Sequence, residues 1–522
     1  MASGLPRVTL TETDLSQFVD NPQTGISCVE GITEKGPVNK PQLISSAIQF
    51  ERVFGGELKT SDFPLIVKRA LSYGAVLWVS RIAHYTDITD ASSLTALNAN
   101  IEIKDRQETP VNTLKIKASS PGIWGNSLKI IISESTLDSE NLFTLKVYDG
   151  DDEVESFSDL SMSDSSSDYV ENISSSYIEI EDLSTVLNKK LARPAIGTYI
   201  LNGGNDGTTV TDADYIGSST NSTGLYSFDD ITDAMQLAVP GVCSPAVISA
   251  GLGYCETRKD MVFITETPFN LTPSEAVNFR LGKGVYNHAT FQSNYGAMYY
   301  PKIKVYDVLT QKERYISPVG DVLGVMAVND YTANESFVPA GSRRGKLLNA
   351  LGIDVNVAGK GRAGEANYIC ENQINPICLF DDTGIVVWGA QTLQRQASLL
   401  RELNVRRMLI AVEKAVASYA RAYIHQPDDP QTWREFYRGI EPKFRDWTAS
   451  RFFYDYRIYC DQDAESLEDA KLNTPESVQR GEFKCQILVK PVVGIKWISI
   501  DCAITRLDAD FDETLTDMLD SE

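Results

Sequence analysis

Apolar positions along the chain change period several times, and each change marks a different kind of element. Between Gly31 and Ala83 a helix-like stretch, "FPLIVKRALSYG", runs into "AVLWVSRIA", a continuous apolar strand, so the chain opens as α/β. From about Thr86 to Gly207 the pattern shortens to alternating runs such as "LKIIIS", "FTLKVYDG" and "YIEIED". Gly, Asn, Asp and Ser turns separate them, which predicts an all-β insertion. The acidic "DLSMSDSSSDYV" has apolar strands on both sides and reads as a surface loop. From about Thr209 to Gln394 helices ("DDITDAMQLA", "TPSEAVNFRLG") mix with buried-type strands ("MVFITET", "GVMAVND", "GIVVWGA"), as in a layered α/β domain.

The last region is α+β. It begins with a long helix, "LLRELNVRRMLIAVEKAVASYARAYIH", and a second helical stretch, "DPQTWREFYRGIEPKFRDWTAS". Strands "FFYDYRIYC", "FKCQILVK" and "KWISIDCAITRL" follow. At about 100° per residue, Val405, Met408, Leu409, Val412, Val416, Tyr419 and Tyr423 share one stripe of the first helix, the side expected to face a core. Arg407, Lys414 and Arg421 fall opposite, about 10 Å apart along the axis. The line reads either as a solvated face or as a docking stripe for an acidic partner.

Both ends of the chain carry strand patterns. Val8 and Leu10 lie in a short extended arm, and Ile498, Ile500, Cys502 and Ile504 alternate with polar or small residues before an acidic tail. Unpaired strands of this kind add to a neighbour's sheet or pair within their own domain.

Composition narrows the function. The 522 residues carry 71 acidic and 48 basic side chains, a formal net charge of −23, which argues against direct nucleic-acid binding. No run of about eighteen apolar residues spans a bilayer, so membrane insertion is not expected. The opening "MASGLPRVTLTETDLSQF" lacks the apolar core of a secretory signal, so synthesis and retention in the cytoplasm are expected.

Catalytic signals are missing. His84, His288 and His425 are the only histidines, and none lies in a recognisable catalytic motif. There is no G-x-S-x-G and no Walker A motif. "GKGRAG" (Gly359 to Gly364) matches G-x-G-x-x-G but does not open a helix after a strand, so a loop is the better reading. The acidic runs "DGDDEVE" and "LDADFDE" lack EF-hand spacing, and the eight cysteines lack metal-binding spacing. The chain is therefore read as no enzyme, without cofactor or metal.

Several stretches resemble the tail sheath proteins of contractile phage tails and related injection machines. They are "GPVNKPQLISSAIQFERVFGG", "SNYGAMYYPKIKV", "SPVGDVLGVMAVND" with "FVPAG", "GIVVWGAQTL", "LNVRRMLIAVEKAV" and "YDYRIYCDQDAESLEDAKLNTPESVQRGEFKCQILVKPV". "GIWGNSLKI" marks the β-domain that some sheath proteins carry.

The resemblance implies an α+β multidomain chain. Its expected parts are an N-terminal arm (1–22), an α/β segment (23–85), an all-β insertion domain (86–206), a subtilisin-like layered sheath domain without a catalytic triad (207–395), a C-terminal domain (396–493), and a strand arm with acidic tail (494–522). It also implies a structural subunit of the virion tail, made in the host cytoplasm. Such subunits stack as hexameric rings in a helical sheath around a tail tube protein and contract to drive the tube through the host envelope for genome ejection. Baseplate and tail terminator or collar proteins are the further expected partners.

Terminal arms in this family add strands to neighbouring C-terminal domains, a role that Val8, Leu10, Ile498, Ile500, Cys502 and Ile504 inherit as candidates. The tube-facing candidates are Arg407, Lys414 and Arg421, with Arg434, Arg438, Lys443 and Arg445 of the second helix as rivals. In a particle released to an oxidising medium, Cys28 and Cys502 are candidates for a disulfide between subunits. The alternatives are the sheath of a phage-like bacterial injection system and a subtilisin-like hydrolase.

Overall fold

The computed structural model describes residues 25–186, 188–358 and 363–496. Val8 and Leu10, the candidates Ile498, Ile500, Cys502 and Ile504, and residues 359–362 of "GKGRAG" lie outside the described residues.

An eight-stranded sheet organises the body. Its order is Gly384–Val387, Ile374–Phe380, Gly296–Tyr300, Val262–Glu266, Gln236–Ala238, Ile26–Gly31, Val76–Arg81 and Gln42–Ile44. The six inner strands are parallel, and an antiparallel strand closes each edge. Parallel strands are buried on both faces, which explains apolar runs such as "VFITE". Helices Phe63–Ser72, Val319–Thr332 and Leu403–Ala420 pack with the face carrying Val29, Val79, Ile264 and Ile377. Helices Pro245–Arg258 and Pro273–Leu281 cover the face carrying Cys28, Leu237, Phe263 and Met298.

Three segments differ from the sequence reading. Ala363 and Gly364 of "GKGRAG" open a helix, Ala363–Glu371, where the sequence reads as a loop. "GVMAVND" lies in the helix Val319–Thr332, not in a strand. That helix is buried on nearly every side, so its apolar residues lose the 3.6-residue period that separates a helix from a buried strand. "DDITDAMQLA" is a turn leading into the three-residue strand Gln236–Ala238, not a helix. Parallel pairing with Ile26–Gly31 on one side and Val262–Glu266 on the other overrides its local propensity. The segment 23–85 supplies three strands of the central sheet.

Between Val76–Arg81 and Gln236–Ala238 the chain makes two antiparallel sheets. One holds Gly197–Ile200, Leu128–Glu134, Leu142–Asp149 and Asp152–Ser161; the other holds Asn100–Lys104, Asn112–Ala118 and Ile178–Asp182. Alternate residues, among them Ile116, Ile130, Leu145 and Ile178, make one apolar cluster between them. Arg81 ties this insertion to the main sheet. It is buried and donates to the Gly36 carbonyl at 3.0 Å and the Pro121 carbonyl at 2.7 Å, while Ser120 Oγ accepts from Gly36 N at 2.9 Å.

The C-terminal region adds the helix Pro430–Ala449 and the two-stranded sheet Phe453–Tyr459 with Gln486–Pro491. Trp433, Phe436, Ile440, Phe444 and Trp447 form the buried stripe of the helix, three or four residues apart. Asp429 caps its start by accepting from Thr432 N at 2.8 Å.

Candidate functional site

The long helix Leu403–Ala420 joins the C-terminal region to the sheet. Val405, Met408, Val412 and Tyr419 are buried, and Leu409, Val416 and Tyr423 pack against the same core. The opposite line of cations does not form one outward stripe.

Arg407 is 0% exposed and ion-paired to the equally buried Asp330, so it is no surface docking residue. The Gln236 amide, oriented by its partners, accepts from Arg407 Nη2 at 3.0 Å and Nε at 3.1 Å and donates to the Ile26 carbonyl at 3.1 Å. One guanidinium thus links the long helix, the end of Val319–Thr332 and the sheet. The helix is inside the molecule on more than one side, which its own amphipathic pattern does not reveal.

Lys414 is half-buried and donates to the carbonyls of Thr232 (2.9 Å) and Ala234. It lines a groove of about 410 Å³ with Asp233, Arg258, Asp260, Glu413 and Arg421. Arg258 and Asp260 are ion-paired at 2.8 Å, so the groove is of mixed charge rather than basic. Of the three cations only Arg421 is exposed. On the second helix Arg438 and Arg445 are exposed, while Arg434 and Lys443 are half-buried. Arg434 donates to the Pro430 carbonyl at 3.1 Å, Lys443 lies over the Trp447 ring, and Arg445 pairs with Glu441.

A buckle of polar contacts holds the two helical regions together around Asn334–Phe337. Asn329 Nδ2 donates to the carbonyls of Asn334 and Phe337, both at 3.1 Å. Asn334 Nδ2 donates to the Ser450 carbonyl at 3.2 Å, Ser336 Oγ to the Phe452 carbonyl, and Asn404 Nδ2 to the Ser336 carbonyl at 2.8 Å. Buried beside them, Glu335 has its carboxyl pushed up to about 7 by burial and by the Asp330 charge, with Arg407 and Lys443 pulling the other way. Sequence reading missed this cluster, because its members are spread over 329–452 and carry no motif.

The two-stranded sheet presents open edges: among the described residues neither strand has a second neighbour. Tyr454 and Leu488 are 68% and 66% exposed, whereas Ile458, Ile487 and Val489 face the core. The connection between the strands wraps around Asp461, which accepts from Lys471 N and Leu472 N at 2.9 Å and from Asn473 N at 2.6 Å.

Cys28 sits at 0% exposure in the middle of the central sheet, where burial pushes its thiol well up. The candidate bond from Cys28 to another subunit is thereby corrected, since no partner thiol reaches it while the sheet is intact. The thiols that the fold does bring together are Cys460 and Cys485, which flank facing strand ends of the two-stranded sheet, with Cys460 Sγ donating to the Trp433 carbonyl at 3.7 Å. Pairing the two strand patterns of the C-terminal region in register is the one sequence signal for them.

His84 bonds through Nδ1 to Asp214 at 2.8 Å, and that carboxylate also accepts from Tyr85 N and Thr211 N. The histidine–acid pair therefore serves local structure. His288 stacks on Phe291, and His425 is exposed in the turn that follows the long helix. Among the described residues no group of three His, Cys, Asp or Glu side chains is arranged to hold a metal, and no helix is long and apolar enough to cross a membrane.

No protein-family model matches the chain. The tail sheath protein of Vibrio phage KVP40 is 30% identical over 213 residues, 40% of this chain, and the chain spans only 30% of that relative's length. The sheath of an extracellular contractile injection system in its contracted state matches with TM-score 0.55 at 14% identity, over 98% of this chain and 99% of that one. A sheath tail protein from Listeria innocua matches with TM-score 0.56 at 15% identity, over 86% and 91% of the two chains. The chain is thus similar in sequence to phage tail sheath proteins across two fifths of its length and shares the fold of solved sheath proteins across nearly all of it.

Proposed function

We propose that the chain is the structural subunit of a contractile tail sheath. Subunits stack as hexameric rings in a helical sheath around a tail tube, between a baseplate and a terminator or collar, and contract to drive the tube through a host envelope. The work comes from the difference between two packings of nearly rigid subunits, and no nucleotide or cofactor is consumed. The middle of the chain is read as the family's subtilisin-like domain with its catalytic residues absent.

The observation that carries this reading is the two-stranded sheet Phe453–Tyr459 with Gln486–Pro491. A lone pair of strands is marginal in water, and its two open edges are templates for strands from neighbours. The chain ends around Val8 and Leu10 and around Ile498 to Ile504 have the period-two pattern to fill them. The tube-facing surface is then assigned to the exposed cations Arg421, Arg438 and Arg445 rather than to Arg407.

Electron microscopy of the purified protein or its parent particle tests the reading. Long striated hollow cylinders are expected; dispersed monomers with hydrolytic turnover would overturn it. Particles with sheaths but no genome-filled head would favour a bacterial injection system, a reading supported by the injection-system sheath among the fold matches.

A further inference from the structure

Cys460 directly follows the strand Phe453–Tyr459, and Cys485 directly precedes Gln486–Pro491. At that end of the antiparallel ladder Tyr459 faces Gln486, so the next step in register sets Cys460 opposite Cys485. Two residues along, Ile458 faces Ile487 on the core side of the sheet, and the two cysteines share that side. Facing residues of an antiparallel pair have Cα atoms about 4.5–5.5 Å apart, inside the roughly 4.4–6.8 Å that a disulfide spans. Both cysteines pack against the same apolar core, and Cys460 Sγ donates to the Trp433 carbonyl at 3.7 Å.

We propose that Cys460 and Cys485 are an oxidisable pair that closes into an intrachain disulfide and staples the two-stranded sheet when the protein meets a small-molecule disulfide such as oxidised glutathione. Cys485 is half-exposed and is the attacking group. The neighbouring Cys460 thiol outweighs burial and holds the Cys485 thiol below the usual range. Its proton passes to solvent, and its thiolate attacks one sulfur of the glutathione disulfide and releases one glutathione thiolate.

Cys460 is buried and resolves the mixed disulfide. It loses its proton to solvent as its sulfur attacks Cys485 Sγ and expels the second glutathione thiolate. In sum, two protein thiols and one glutathione disulfide give one protein disulfide and two glutathione thiols. The loop being closed is held together beforehand by Asp461, so the bond forms across a folded hairpin. Its value to assembly rests on the proposed docking role of this sheet: a stapled pair keeps its register while its outer edges accept strands.

The test equilibrates the full chain with oxidised glutathione, blocks remaining thiols with iodoacetamide, and maps peptides without reduction. Expected are a Cys460–Cys485 peptide pair lighter by two hydrogens, monomer mobility on non-reducing gels, and a Tm that rises on oxidation. Cys485→Ser, or Cys485→Ala should the serine variant fail to fold, loses the cross-link and the Tm shift. Full alkylation of both cysteines in the folded chain, or glutathione retained on Cys485, would overturn the proposal. The assay uses unassembled protein, so a cross-link without cylinders counts against the sheath reading alone, and cylinders without the cross-link count against the disulfide alone.

Discussion

Arg407 shows how much one side chain's setting decides. A guanidinium at 0% exposure has to be paired, and Asp330 and Gln236 pair it. Removing one member of such a pair strands a buried charge, so Arg407→Ala is expected to lower stability by about 3–5 kcal/mol in denaturant unfolding. Arg407→Glu is expected to yield little folded protein. Glu335, next to the same pair, adds a pH dependence. Its folded pKa of about 7 lies above its ordinary 4.5, so its contribution is fully present below about pH 4.5 and is lost as pH rises through 7. Thermal melts from pH 5 to 8 are expected to show Glu335→Gln gaining stability relative to the parent as pH rises, with the two closest at the acid end.

At the scale of elements, the two helices and the hairpin of the C-terminal region divide the work. The helix Pro430–Ala449 puts its aromatic stripe inside and shows Arg438 and Arg445 outside. The hairpin puts Ile458, Ile487 and Val489 inside and leaves Tyr454 and Leu488 outside. Surface changes away from such inner contacts move stability by no more than about 0.5 kcal/mol. Tyr454→Glu and Leu488→Glu are therefore expected to melt like the parent yet fail to form cylinders by microscopy. Cylinders of normal length from both variants would show that this sheet is not a docking platform.

For the whole molecule, the formal charge of −23 makes the placement of exposed cations matter more than their number. Arg421, Arg438 and Arg445 are the exposed members of the seven basic candidates. Reversing all three to Glu is expected to leave circular dichroism and monomer mobility unchanged and, on the proposed function, to reduce assembly on a tail tube protein in a salt-dependent way. Unimpaired assembly would place the tube-facing surface elsewhere. The β-insertion, seated through Arg81, Gly36 and Ser120, lies outside the central sheet in the chain's connectivity and contributes none of its strands.

The chain's own pattern determined the buried strands, the run of alternating strands between residues 86 and 206, the core stripe of the long helix and the absence of catalytic motifs. Those features are local: period, turn residues and composition state them within a dozen positions. Tertiary structure alone decided the rest. It placed Arg407 inside by pairing it with Asp330 and Gln236, and hid the helical period of "GVMAVND" by burying that helix on nearly all sides. It buried Cys28 at the centre of the sheet and set Cys460 beside Cys485. Each of these depends on residues tens to hundreds of positions apart, and one-dimensional periodicity carries no information about which distant element covers a given face.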